Sequence, residues 1–251
     1  MALGYRVVGF EANPELAEHC RRRFAREIHE GRFTIVEGAI AADAGETVSF
    51  FQHENSVFGT TGAAWSDRNR GLGTSRQIEV AAVSFAASLE RFGVPYFLKV
   101  DIEGADRLCL DELREGTGRP RYVSLESEKA DFSALVEEFD LLAQLGYDRF
   151  AVVQQAGISR IANATRLDGK GMPFAFETDA SGPFGPDVGP WVTRDEALAR
   201  YRRIFTRYRY LGDHSWMRRS SMRRKALVRI GHVLRTPVPG WYDTHATRSD
   251  L

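Results

Sequence analysis

The sequence predicts an open α/β sheet with a ligand at its edge, and three observations carry that reading. Residues 6–11 form an apolar run that closes on Glu11, and residues 96–106 form a second that delivers Asp101 and Glu103 two residues apart, just before Gly104. Apolar runs of this kind mark strands buried on both faces of a parallel sheet, and open α/β sheets bind ligands beyond the carboxyl ends of such strands. The third observation is the order strand, helix, strand at the start of the chain, which implies a crossover and therefore a parallel pair. Two acid-tipped strands point to a cofactor-binding fold.

The elements follow in order. Gly4 ends a helical turn, residues 6–11 are a strand, and Asn13 caps a helix with Pro14 in its first position. That helix is expected to run to about Glu30 and stop at Gly31. Residues 32–36 complete the βαβ unit. Residues 47–52 and 77–83 read as two extra strands around a glycine-rich, polar stretch, residues 55–74, whose length fits a lid or an exposed loop. Residues 84–92 are a helix with Leu89 and Phe92 inward, and residues 105–113 a helix offering Leu108, Leu110 and Leu113 to the core. Residues 121–126 are a strand ending in Glu126, residues 132–145 an amphipathic helix, and residues 149–154 a strand with residues 174–176 as its hairpin partner.

Glycine and proline interrupt residues 181–190 throughout, so residues 181–192 read as a linker between a domain at 1–180 and a helical, basic extension at 193–251. Thr193 caps a helix whose apolar face is Tyr201, Ile204, Phe205 and Tyr208. Residues 218–235 combine basic side chains with apolar ones at helical spacing, the pattern of a docked surface helix or of one that meets an anionic membrane or acidic partner.

Totals limit the function. Among 251 residues, 34 Lys and Arg balance 34 Asp and Glu, so no global field draws the protein to nucleic acid. The two cysteines, Cys20 and Cys109, are far apart and suit reduced thiols in a cytoplasm. There is no leader pattern and no apolar run long enough for a membrane span, so the Asn163-Ala-Thr165 sequon reads as chance.

A carboxylate at the end of the strand before a crossover helix can accept hydrogen bonds from both vicinal hydroxyls of a ribose. Glu11 is that candidate. Nicotinamide dehydrogenases and adenosylmethionine-dependent methyltransferases share the device. The blocks Arg6-Val-Val-Gly-Phe-Glu-Ala-Asn-Pro14 and Leu98-Lys-Val-Asp-Ile-Glu-Gly-Ala105, with Leu145-Gly-Tyr147 at a helix end, resemble the FkbM-type methyltransferases over roughly residues 1–154. The dehydrogenase alternative leaves the acid pair after Val100 unexplained.

The resemblance implies a Rossmann-like class I methyltransferase sheet, S-adenosylmethionine as donor, and O-methylation of a small-molecule or glycan hydroxyl. Carried over, Glu11 holds the ribose, Asn13 caps the helix beneath the cofactor, and Ala39 and Ile40 border the adenine; Ala39 supplies no acid for the adenine amino group, a role that falls to Glu37 if any acid fills it. Asp101 and Glu103 lie beside the transferred methyl group, Asp101 as base or hydroxyl anchor. Structural alternatives stand beside these roles. Glu11 answers a helix dipole, Glu103 stabilises the helix start after Gly104, and Lys99 pairs with a nearby acid such as Glu126. His53 and His245 are bases reaching in from loops or polar surface residues, and two carboxylates without a third ligand do not make a metal site. The class I sheet also places a first strand, and a glycine-rich loop ahead of the Glu11 strand, that this sequence has no residues to form. The expectation is therefore an N-terminally truncated sheet whose natural product extends upstream, and a competing reading is a non-catalytic module that binds a partner through its basic helix.

Overall fold

A computed structural model of the chain describes residues 1–42, 45, 47–53, 75–102, 106–116, 118–127, 131–177, 180–211 and 241–250. The expected loop at 55–74 and the basic stretch at 218–235 lie outside the described residues, as does Glu103. The chain divides into two compact units, one of Met1–Pro95, Val100–Arg119 and Arg166–Asp168, the other of Tyr96–Lys99, Pro120–Thr165 and Gly169–Leu251.

The first unit opens with β1 (Val7–Glu11), which pairs in parallel with β2 (Phe33–Glu37) from Val7↔Phe33 to Glu11↔Glu37. Between them run two helices where one was expected, α1 (Pro14–Arg23) and α2 (Ala25–His29). Phe24 is the break. Its backbone leaves helical geometry at φ −109°, ψ 24°, and its ring packs edge-on against Phe33 at 5.1 Å. Gly31, at φ 66°, turns the chain into β2 as anticipated. After Gly38, β3 (Ala39–Ile40) pairs in parallel with β5 (Ser75–Val83), and β4 (Thr47–His53) pairs antiparallel with β5. Ala39, Phe50 and Val80 are the buried centre of this three-stranded sheet.

Helix α3 (Phe85–Phe92) is capped by Ser84, whose hydroxyl accepts from the Ala87 amide, and ends at Gly93. Its buried side chains are Phe85 and Ser88, whereas Phe92, expected inward, is exposed, with the Arg91 guanidinium 4.8 Å over its ring. Phe92 sits in the last turn, past the point where the helix faces protein. Helix α4 (Asp106–Glu115) buries Cys109, Leu110 and Leu113, so the cysteine takes the inner place assigned to Leu108.

In the second unit, which takes β6 (Phe97–Val100) up to Lys99, the strands β6, β7 (Tyr122–Glu126), β8 (Arg149–Gln154) and β11 (Tyr242–Thr247) form a sheet in the order β6-β7-β11-β8. Strand β11 runs antiparallel to both neighbours and all six of its residues are buried. This corrects two expectations. Residues 242–247 are an interior strand, not part of a helical extension, and the partner of β8 is β11, not residues 174–176. The short hairpin nearby is instead β9 (Asn163–Thr165) against β10 (Gly171–Pro173). The reason is saturation: β11 meets the ladder groups of β7 and β8 at once, and residues 174–176 pack as aromatics, with Phe174 on Phe176 at 4.9 Å.

Residues 181–190 are also packed and not a loose linker. Gly182, Pro183, Gly185 and Val188 are buried, the Gly182 amide donates to Gln155 Oε1 at 2.8 Å, and Phe184 meets Phe97 edge-on at 5.2 Å. Thr193 caps α6 (Arg194–Leu211) as expected, and Glu196 reaches back to the Thr193 amide to complete a capping box. Its Tyr201 and Ile204 are buried, and Phe205 and Tyr201 pack against Phe132 and Phe139 of α5 (Phe132–Gln144) at 5.2 and 5.9 Å.

Candidate active site

The first half of the site is built where β1 gives way to α1. Glu11 ends the strand, and its Oε1 accepts the Asn13 amide at 2.8 Å, while its backbone carbonyl accepts the Gly38 amide at 2.9 Å. Asn13 is buried and caps α1: its Oδ1 accepts from the Glu15 amide at 3.0 Å and from Gln52 Nε2 of β4 at 3.2 Å. The sequence predicts the cap; Gln52, 39 residues away, carries no local signal of its role.

Glu11 is half-buried, and desolvation holds its carboxyl above the usual carboxylate range despite the amide donors of Asn13 and Ala12. A carboxylate in that condition gains from further donors. Its neighbour Cys20 is raised as well, first by burial and then by the Glu11 charge, and burial pushes Cys109 up to about 12. Neither thiol is therefore poised as a nucleophile.

Gly38 turns the chain from β2 into β3 at φ 142°, where an added Cβ would meet Ala81 O and Val83 Cγ2 at 2.6 Å each. Next to it Ala39 and Ile40 are buried, 5% and 8% exposed. The Ala39 methyl belongs to the cluster with Phe50 and Val80, against which Ala12 also packs, so what Ala39 has left to offer a ligand is backbone. Glu37, the acid considered for the adenine amino group, is ion-paired with Arg21. Glu11, Asn13, Gly38 and Ala39 thus form one bonded neighbourhood at the carboxyl end of β1.

The second half follows β6. Asp101 is exposed just beyond the strand, and the next amide, that of Ile102, donates to Asp106 Oδ1 at 3.1 Å. Asp106, in the first turn of α4, thus holds the backbone just after Asp101, a contact for which the sequence carries no signal. Glu103 falls outside the described residues. Lys99 does pair with an acid, as burial in a strand requires, but the acid is Asp243 of β11, with Lys99 Nζ 3.1 Å from Oδ2. Glu126 lies directly opposite Asp243 in the ladder.

One of the two histidines parts company with expectation. His245 is not on a loop: it lies in the middle of β11, 1% exposed, its Nε2 3.5 Å from Ser124 Oγ. Burial, with the Lys99 charge adding to it, lowers its pKa to about 3. It is a neutral core residue. His53 ends β4, and its side chain lies outside the described residues.

Among the described residues there is no group of three or more His, Cys, Asp or Glu side chains that could hold a metal ion, and no helix long and apolar enough to cross a membrane. No match to the chain was found among curated proteins or solved structures. The family model for the methyltransferase FkbM domain matches residues 1–149. That match takes in β1, α1, β3, β6 and Asp101, and it covers more than half of the chain, which therefore belongs to the FkbM methyltransferase family.

Proposed function

We propose that the protein transfers a methyl group from S-adenosylmethionine to a hydroxyl oxygen of a small molecule or glycan. Family membership supports methyl transfer, and the observation that carries the choice of donor is Glu11. A half-buried carboxylate, anchored by one oxygen at the carboxyl end of a parallel strand and destabilised by its own desolvation, fits a ligand that brings hydroxyl donors. The vicinal hydroxyls of an adenosine ribose are such donors. The parallel pair β1–β2 around α1, and the ladder β6-β7-β11-β8, support the Rossmann-like class I sheet.

In this reading Glu11 holds the ribose, Asn13 keeps the start of α1 and Gln52 in place around it, and the backbone of Ala39 and Ile40 borders the adenine. When bound, S-adenosylmethionine supplies a methyl group on a sulfonium that already carries the activation. The protein's remaining work is to align the acceptor oxygen and manage its proton. Asp101, exposed at the strand end, would accept the acceptor's hydroxyl hydrogen and take up that proton as the oxygen–carbon bond forms and the methyl carbon–sulfur bond breaks to leave a neutral thioether; Glu103, two residues on in the sequence, is the second candidate for this work. The zero net charge favours neutral acceptors over nucleic acid.

Calorimetric titration with S-adenosylmethionine, followed by a methyl-transfer screen over hydroxylated acceptors, tests the proposal. Asp101→Ala is expected to keep cofactor affinity and lose turnover by about 100-fold or more. Undiminished turnover in that variant removes Asp101 from the mechanism, and absence of binding by the wild-type protein removes the donor.

A further inference from the structure

The ion pair between Lys99 and Asp243 joins the strand that leads to Asp101 with the most deeply laid strand of its sheet. Asp243 is 1% exposed, and β11 is fixed on both sides, with Asp243 opposite Glu126 of β7 and opposite Val153 of β8. Strand β7 stands between β6 and β11, so Lys99 reaches past a whole strand to find its acid. An ion pair of this burial is a poor way to gain stability, because desolvation offsets much of the attraction and an apolar pair of similar volume does as well. It does fix geometry. Beyond Lys99 the chain passes through Val100, 2% exposed, to Asp101, and then Ile102 is held through its amide by Asp106 at 3.1 Å. The chain is therefore held on both sides of Asp101, at Lys99 before it and at the Ile102 amide after it.

We infer that Lys99 and Asp243 are a positioning pair for Asp101, setting where β6 ends and the reacting carboxylate begins. The kinetic consequence rests on the methyl-transfer reading above; the structural consequence does not. The test uses the full chain with both charges removed together, Lys99→Met with Asp243→Asn, so that no buried charge is left alone. Amide exchange at Val100 to Ile102 is expected to quicken by about tenfold or more while β4 and β5 stay protected and the unfolding temperature stays near that of the wild type. In the same variant kcat is expected to fall about 10- to 100-fold, with KM for S-adenosylmethionine within about twofold of wild type, because alignment is lost and cofactor contacts are not. Unchanged exchange at Val100 to Ile102 in the folded variant overturns the inference, and so does an unchanged kcat. If the double variant does not fold, Asp243→Asn alone, which leaves as the remaining charge Lys99, 22% exposed and able to reach water, is held to the same two outcomes. If the wild-type protein turns over no acceptor, the methyl-transfer reading fails by itself and the exchange measurement still decides the inference.

Discussion

At Glu11 the physical chemistry makes opposite demands on folding and on binding. Its folded pKa lies above the unfolded value because burial disfavours the charge. The folded state then holds its proton to higher pH than the unfolded chain does, so stability falls as pH rises from the ordinary carboxylate range through the raised value. Glu11→Gln is expected to remove that decline, giving an unliganded protein that melts no lower than wild type at pH 7. The same change should weaken S-adenosylmethionine binding about 10-fold, the worth of hydrogen bonds to a charged acceptor. Thermal melts across pH, with and without ligand, check both. His245 works in the other direction. Its folded pKa of about 3 lies below the ordinary imidazole value of 6.5, so the unfolded chain takes up a proton that the folded one refuses, and stability is lost as pH falls from 6.5 toward 3. Urea unfolding should show this limb, at most about 1.4 kcal/mol per pH unit, and His245→Leu should flatten it.

Among the elements, the turn between β2 and β3 is the most constrained. Gly38 combines a φ of 142° with a backbone carbonyl, Ala81 O, standing 2.6 Å from any Cβ placed there. A carbonyl in a strand cannot swing aside as a side-chain terminus can. Gly38→Ala is therefore expected to cost about 1–3 kcal/mol or more in urea unfolding and to displace β3, reducing cofactor binding as well. Elements of this kind divide by how local their cause is. The end of β1 at Glu11, the Asn13 cap, the Thr193 cap and the acid after Val100 were all legible, because each is decided by residues within a turn of one another. The break at Phe24 was not, since it depends on Phe33 across the unit, and Gln52 and Asp243 were not, since their partners are 39 and 144 residues away. Strand β11 escaped for a further reason: Tyr-Asp-Thr-His-Ala-Thr lacks the apolar run that marks a buried strand, and its burial becomes affordable only once Lys99, Ser124, Ser127 and Tyr201 answer its polar groups.

Across the whole molecule, the order of the chain and the order of the sheet disagree, and that has a consequence for folding. Residues 242–247 come after every other strand in sequence yet lie inside the sheet, between β7 and β8, with Ser124 and His245 meeting across 121 residues. Without β11 those two strands face each other across a gap of about two strand spacings, roughly 10 Å, and their inner ladder groups have no partner. Thr244 also closes a buried hydroxyl triangle, its Oγ1 2.9 Å from Ser127 Oγ and 2.6 Å from Tyr201 OH, while Ser127 Oγ and Tyr201 OH are bonded to each other, so its loss takes from Tyr201 of α6 one of two hydroxyl partners. Removal of residues 241–251 is therefore expected to unfold the second unit cooperatively, not to trim a tail: amide protection in β7, β8 and α6 should vanish together. The long sequence separation also makes closure slow, because loop entropy is lost before the ladder on either side of β11 is gained. Refolding followed by pulsed hydrogen exchange should show β7 and β8 acquiring protection in the same late step as β11, and protection of β7 and β8 in the shortened chain at wild-type levels would falsify this account of the sheet.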